Sequence, residues 1–264
     1  MSGFVPLVVV VILGIGYLLV MRRGAIARRA LMTRTARTLG LRYSPTDPFG
    51  LQARFPLPLF GHPTAILTTH EPRDLMFGTA DDLPICVFDM TLDLDQLMRV
   101  QASGPENPSE PEDRWADFES SMREDDAVTL MCCLFPVDLD APTLRVEPTP
   151  SPGLPRAVNP SDIRFESGSF NERFSVHCDD RRFANAILDA RMLELFLSFG
   201  TAWAVEMSGS SALLYGRRSQ PADRAQLIDA AQAFVDAIPR AVGSLYPPET
   251  ERRPLPWSLP SPSG

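Results

Sequence analysis

FSVHCDDRRFANAILDARMLELFLSFGTAWAVEMSGSSALLYGR, from Phe174 to Arg217, is the stretch on which the fold turns. It opens with alternation. Phe174 and Val176 are apolar and Ser175 and His177 polar, the period of two that a strand produces. The period then changes. Ala184, Ile187, Arg191, Leu195 and Phe199 recur at helical spacing, and Asp179 or Asp180 stands where a capping carboxylate is favourable. Gly200 stands where a helix stops, so one helix is expected from about Arg182 to Phe199. TAWAVEM and SALLYGR then flank Ser208-Gly209-Ser210 and read as a β-hairpin around a compact turn.

Downstream, Leu227, Ile228, Ala231, Phe234, Val235, Ile238 and Val242 form one apolar stripe, which predicts a helix over about Pro221–Val242 with a kink at Pro239. Upstream, the residues from Ile163 read as β-turn-β. The order strand-helix-strand-strand-helix excludes an all-helical or all-β protein. It predicts an α+β fold, a mainly antiparallel sheet with two amphipathic helices packed on one face. Further strands are expected at LRYS, at AILTTH (Ala65–His70), at LMFGTA (Leu75–Ala80), at LPICVFDMTLDL (Leu83–Leu94), at VTLMCCLFPVDL (Val128–Leu139) and at TLRVE (Thr143–Glu147). The near-continuous apolar run of Val128–Leu139 marks a strand that is central or buried on both faces.

Composition breaks this pattern in three places. Gln101–Asp126 holds nine acids, two Arg and three Pro, a mixture that cannot bury a core and reads as a mobile acidic excursion. Glu147–Pro160 reads as a Pro-rich linker, and Pro247–Gly264 as a disordered polyproline-type tail. The soluble domain is therefore placed at 41–246.

At the other end, Phe4–Met21 (FVPLVVVVILGIGYLLVM) is apolar without a charge. At about 1.5 Å per residue such a run just spans a bilayer core of about 30 Å. Positive charge follows the run, at Arg22, Arg23, Arg28 and Arg29, and none precedes it. The expectation is a retained single-pass anchor at 1–21, with the N-terminus outside and the soluble domain cytoplasmic. Residues 22–40 lack Pro and are rich in Ala, Arg and Leu, so a basic juxtamembrane helix ending at Gly40 should follow. Seven Arg and no acid precede Asp47, while the other eighteen Arg share the chain with all 33 acids. The partners this implies are the lipid bilayer and a protein; an acidic body is repelled by nucleic acid.

The stretch IRFESGSFNERFSVHCDDRRFANAILDARMLELFL carries F-E-S, F-N-x-x-F-x-V, an acidic pair and R-M-x-x-L. In these features, Phe165, Glu166, Phe170, Asn171, Phe174, Asp179, Asp180, Arg191 and Met192, the chain resembles a bacterial, and in particular actinobacterial, family of uncharacterised membrane-anchored proteins. The resemblance extends to F-P-x-P-x-F-G at Phe55–Gly61 and V-F-D at Val87–Asp89, covering most of Leu39–Val242. It implies a transmembrane segment followed by a strand-rich domain, and it implies no chemistry. The residues themselves read as structural: Phe165, Phe170 and Phe174 as core anchors, Asn171 as a turn residue, Asp179 and Asp180 as caps.

Catalytic motifs are sparse. There is no Lys, so no Walker lysine, and neither G-x-G-x-x-G nor G-x-S-x-G occurs. His62, His70 and His177 lack ligand spacing to one another or to Cys86, Cys132, Cys133 and Cys178, which read as reduced, buried thiols. Cys132 and Cys133 should face opposite sides of their strand. Asp89, Asp93 and Asp95, separated by even numbers of residues and so on one face of a strand, are the candidate metal ligands, and they define the alternative of a membrane-tethered metal-dependent hydrolase. The favoured expectation is a non-enzymatic binding or scaffold module at the inner membrane, with no cofactor.

Overall fold

The computed structural model describes residues 22–60, 71–92, 128–149, 163–217, 223–248 and 255–257. The apolar run Phe4–Met21, the expected strand Ala65–His70, the acidic excursion, Asp93 and Asp95 lie outside them. Among the described residues no helix is long and apolar enough to cross a membrane.

The expected helix after the apolar run is present as α1 (22–38), and Gly40, at φ 69, turns the chain out of it. Then come β1 (Arg42–Thr46), a single helical turn α2 (Leu51–Arg54), a 3-10 turn (Pro58–Phe60), β2 (Arg73–Ala80) and β3 (Leu83–Leu92). Asp81 and Asp82 both have positive φ, and Ala80 pairs with Leu83. This is the two-residue hairpin turn whose twist matches its strands, and short carboxylate side chains tolerate the left-handed backbone it needs. β2 begins at Arg73, two residues before the strand expected from Leu75.

Both strands expected between Val128 and Glu147 are one 21-residue strand, β4 (Val128–Pro148). Glu147 and Pro148 are therefore sheet, not linker. Three short helices and a strand replace the expected β-turn-β and the single long helix: α3 (Gly168–Arg173), β5 (Phe174–Cys178), α4 (Arg181–Ile187) and α5 (Ala190–Phe199). The chain breaks at Leu188 because Asp189 caps a new helix, accepting from the Met192 amide at 2.9 Å. The hairpin at Gly209 is instead a continuous strand, β6 (Ala204–Arg217). Gly209, at φ 57, sits where the register with β4 slips. A left-handed glycine here makes a bulge rather than a reversal. α6 (Asp223–Ala237) and α7 (Arg240–Leu245) complete the body, separated at Pro239.

All pairings are antiparallel. β6 runs along both halves of β4. On the other side of β4, β3 pairs with the first half and β5 with the second. The α+β class and the antiparallel sheet are as the sequence predicts, but the helices are more numerous and the sheet is covered on both sides. One face packs Met131, Cys133, Phe135, Val205 and Leu214 against α1 and the helices α3–α7. The other packs Phe88, Cys132, Leu134 and Leu213 beneath Leu51, Leu57, Leu59, Phe60 and Trp257. Cys132 and Cys133 do face opposite ways. Trp257, in the expected disordered tail, is 2% exposed. It lies 5.8 Å from the Phe49 and Phe55 rings, and its carbonyl accepts from Arg42 at 2.7 Å. A large aromatic that covers apolar sheet residues offsets the entropy of ordering a short tail segment.

Candidate functional site

Two clusters of buried charge interrupt the core, one on each face. On the helical face, Asp89 projects from β3 beside Val87 and Ile85, and Asp74 projects from β2. Asp74 has φ 53, at the irregularity in the β2–β3 register. Arg28 of α1 reaches both: its Nε is 2.6 Å from Asp74 and its Nη2 is 2.9 Å from Asp89. Arg224 of α6, fully buried, donates from Nη2 to the second oxygen of Asp89 at 2.7 Å, and Tyr43 donates to Asp74 at 2.6 Å. Two guanidinium groups thus balance two carboxylates. Burial would lower the Arg28 pKa, but Asp74 and Asp89 outweigh it and hold the side chain above its ordinary value. Burial, followed by the bond to Asp74, raises the Tyr43 phenol.

This arrangement bears on one of the three candidate metal ligands, Asp89. Asp89 is 3% exposed with guanidinium groups on both oxygens, so it presents no lone pairs in an open site to a cation. Among the described residues no three His, Cys, Asp or Glu side chains stand together as a metal would require. Asp93 and Asp95 lie outside the described residues. The hydrolase alternative thereby loses Asp89. Of the arginines assigned to topology, Arg28 turns onto the body, while Arg22, Arg23 and Arg29 are exposed.

On the opposite face, alternation along three strands brings polar residues together. Arg145 and Glu147 come from β4, Glu206 and Tyr215 from β6, Ser175 and His177 from β5. Arg145 is paired in register with His177 on one side and Glu206 on the other. Its guanidinium lies 2.6 Å from Glu147 and 3.1 Å from Glu206. The Glu147 contact is an ion pair without hydrogen-bond alignment. Tyr215 donates to Glu206 at 3.1 Å, and the Leu59 amide donates to the other Glu206 oxygen at 2.8 Å. Ser175 Oγ and His177 Nε2 are 3.1 Å apart. Two buried carboxylates here share one guanidinium. Burial pushes the Glu147 carboxyl up to about 7, and raises Glu206 as well, with Arg145 opposing in both. Of these six residues the sequence drew attention only to His177, as a histidine without ligand spacing. The available signal was a charged residue inside an otherwise apolar strand, Glu206 in AVEM and Arg145 in TLRVE.

Cys86, Cys132 and Cys133 are buried, and burial raises all three thiols, the reverse of what a reactive thiolate needs. The motif residues fall where structural roles place them. Phe170 and Phe174 stack at 5.0 Å in the core, and Met192 is fully buried. The Asn171 amide brackets the Phe165 backbone, donating at 2.7 Å and accepting at 2.9 Å. Asp180, not Asp179, caps α4 and also accepts from Tyr246 at 2.7 Å, the contact that chiefly lowers its carboxyl pKa. Arg191 is exposed.

Beside these residues lies an open cavity of about 580 Å³ between Arg164–Ser167 and the outer side of α4 and α5. Its apolar floor is Phe165, Leu188, Leu193 and Leu197, and Arg164, Glu166 and Glu194 line its rim.

What these features define is an α+β body with a mainly antiparallel sheet, buried ion clusters on both faces and an open, mixed groove. No family model matches the chain, and no curated protein matches it. Among solved structures it is similar to the crystal structure of the mycobacterial trehalose monomycolate transport factor A, TtfA. The TM-score is 0.52 with 11% identity, over 83% of this chain and 96% of that one. At that identity the likeness shows a shared fold alone.

Proposed function

We propose that the chain is a membrane-anchored accessory protein, associated with transport, whose body binds a protein partner at the cytoplasmic side of the inner membrane. The observation that carries this reading is the groove beside α5. Half-buried Leu193 and Leu197 with a rim of both charge signs have the make-up of a partner-binding patch, an apolar centre inside a polar edge. Its occupant is an amphipathic segment with apolar anchors flanked by acidic and basic residues, complementary to Arg164 on one side and to Glu166 and Glu194 on the other. The apolar run Phe4–Met21 supplies the anchor, and the family resemblance and the likeness to a transport factor agree with that setting.

The test is crosslinking of the tagged full-length protein in its native membrane, with Leu193→Arg/Leu197→Arg in parallel. The expected outcome is one partner enriched by the parent chain and reduced at least about tenfold by the variant, as for loss of two interface anchors; because Leu193 and Leu197 also pack against the core, a cooperative melting transition checks that the variant is folded. Enrichment that survives the substitutions rules out the groove, and no specific enrichment by the parent chain rules out the binding role.

A further inference from the structure

α1 is two-sided. Met32 and Ala36 are each 1% exposed against the helical face of the sheet, and Arg28 is held by Asp74 and Asp89. These three residues, at spacings of four, define the inner face. The opposite face carries Arg23, Ile26, Ala30, Arg34 and Arg37, at i, i+3, i+7, i+11 and i+14, and all five are exposed. Ile26, at 61%, is one of the most exposed large apolar side chains of the described residues. No acidic side chain belongs to α1, and among the described residues none pairs with Arg23, Arg34 or Arg37. A strip of guanidinium groups with an isoleucine between them runs for about 21 Å along a helix of 1.5 Å rise.

We propose that this outer face of α1 docks on the headgroups of an anionic bilayer leaflet, so that α1 lies in the membrane plane with the body on its inner side. Three observations select this occupant. The charge is of one sign and complementary to anionic phospholipid. The chain that precedes Arg22 is the apolar run ending at Met21, which brings the start of the strip to the bilayer surface where that run is inserted. Arginine stems with an interspersed isoleucine suit a headgroup layer, where the aliphatic part is buried and the charge meets phosphate. The rest of the protein is strongly acidic and is repelled by the same surface. The α1 strip therefore sets which side of the body faces the leaflet. This inference rests on the anchored reading above and goes beyond it, because an anchor followed by an upright stalk would satisfy that reading equally.

The experiment is depth measurement by spin-label accessibility on the full-length protein in nanodiscs. The label is carried by Ala30→Cys in a Cys178→Ser background, the other three cysteines being buried. Discs of phosphatidylcholine alone are compared with discs containing phosphatidylglycerol. The expected result is a several-fold loss of accessibility to a water-soluble relaxant in the anionic discs, reversed by high salt and by Arg23→Gln/Arg34→Gln/Arg37→Gln. Equal accessibility in the two lipids, or indifference to the triple substitution, overturns the docking while the protein remains disc-bound. Failure to remain with discs of either composition overturns the anchor itself, a separate outcome. The three substituted residues are exposed and pair with no acid among the described residues, so the variant keeps the body's fold, and its melting temperature checks that.

Discussion

The two faces of the sheet solve one problem differently. On the helical face two carboxylates meet two guanidinium groups, and the cluster joins α1, β1, β2, β3 and α6. On the other face two carboxylates meet one guanidinium, under a cover of irregular chain pinned by the Leu59 amide. A balanced cluster ties distant elements together. An unbalanced one keeps a proton that bulk solvent at neutral pH competes for. The difference teaches that the β4–β6 side is where the fold is sensitive to protonation, and the β2–β3 side where it is sensitive to deletion.

The sharpest way to break the balanced face is Asp89→Ala. It strands Arg224, which is fully buried and whose Nε and Nη1 already lack partners. Removing one member of a buried pair costs about 3–5 kcal/mol, so the urea midpoint of the variant should fall accordingly, and a loss under about 1 kcal/mol would show that water reaches the site. The unbalanced face is probed next, by pH. Glu147 has a folded-state pKa of about 7, above its ordinary 4.5. The folded state therefore binds more protons across that interval, and stability falls as pH rises from about 4.5 to about 7, then levels. The contribution is about 3 kcal/mol, and Glu147→Gln should remove it, flattening the melting temperature between pH 5 and pH 8 relative to the parent. Parallel slopes for the two proteins would place the retained proton elsewhere. The smallest expected effect is away from both clusters. Asp189→Ala deletes the cap that starts α5 and should cost about 1 kcal/mol, and amide exchange at Met192 should rise with it; no change would mean that packing of Met192 and Phe196 alone sets the helix start.

Local periodicities, and with them the class, follow from the order of apolar and polar residues along the chain. Near-continuous apolar runs in LPICVFDM and VTLMCCLF made buried strands, the stripe from Leu227 to Val242 made a helical segment, and Gly40 and Asp180 ended and started helices where capping chemistry says they should. Such features depend on neighbours within a few residues, so they can be read along the chain. The local signal misled where two conformations share one composition. Ser208-Gly209-Ser210 suits a reversal and a bulge equally, and only pairing with β4 on both sides of Gly209 selected the bulge. Asp189 suits a helix surface and a cap equally, and the cap was selected by the packing of Phe183 and Phe196 in one core. Asp89 was legible as a strand carboxylate but not as an ion-pair partner, because Arg28 and Arg224 are 61 and 135 residues away. The same holds for Arg145 and Glu206, for Leu59 and for Trp257. Tertiary structure decided these, since burying a charge or an indole requires partners that only the closed sheet and its two covers bring within reach.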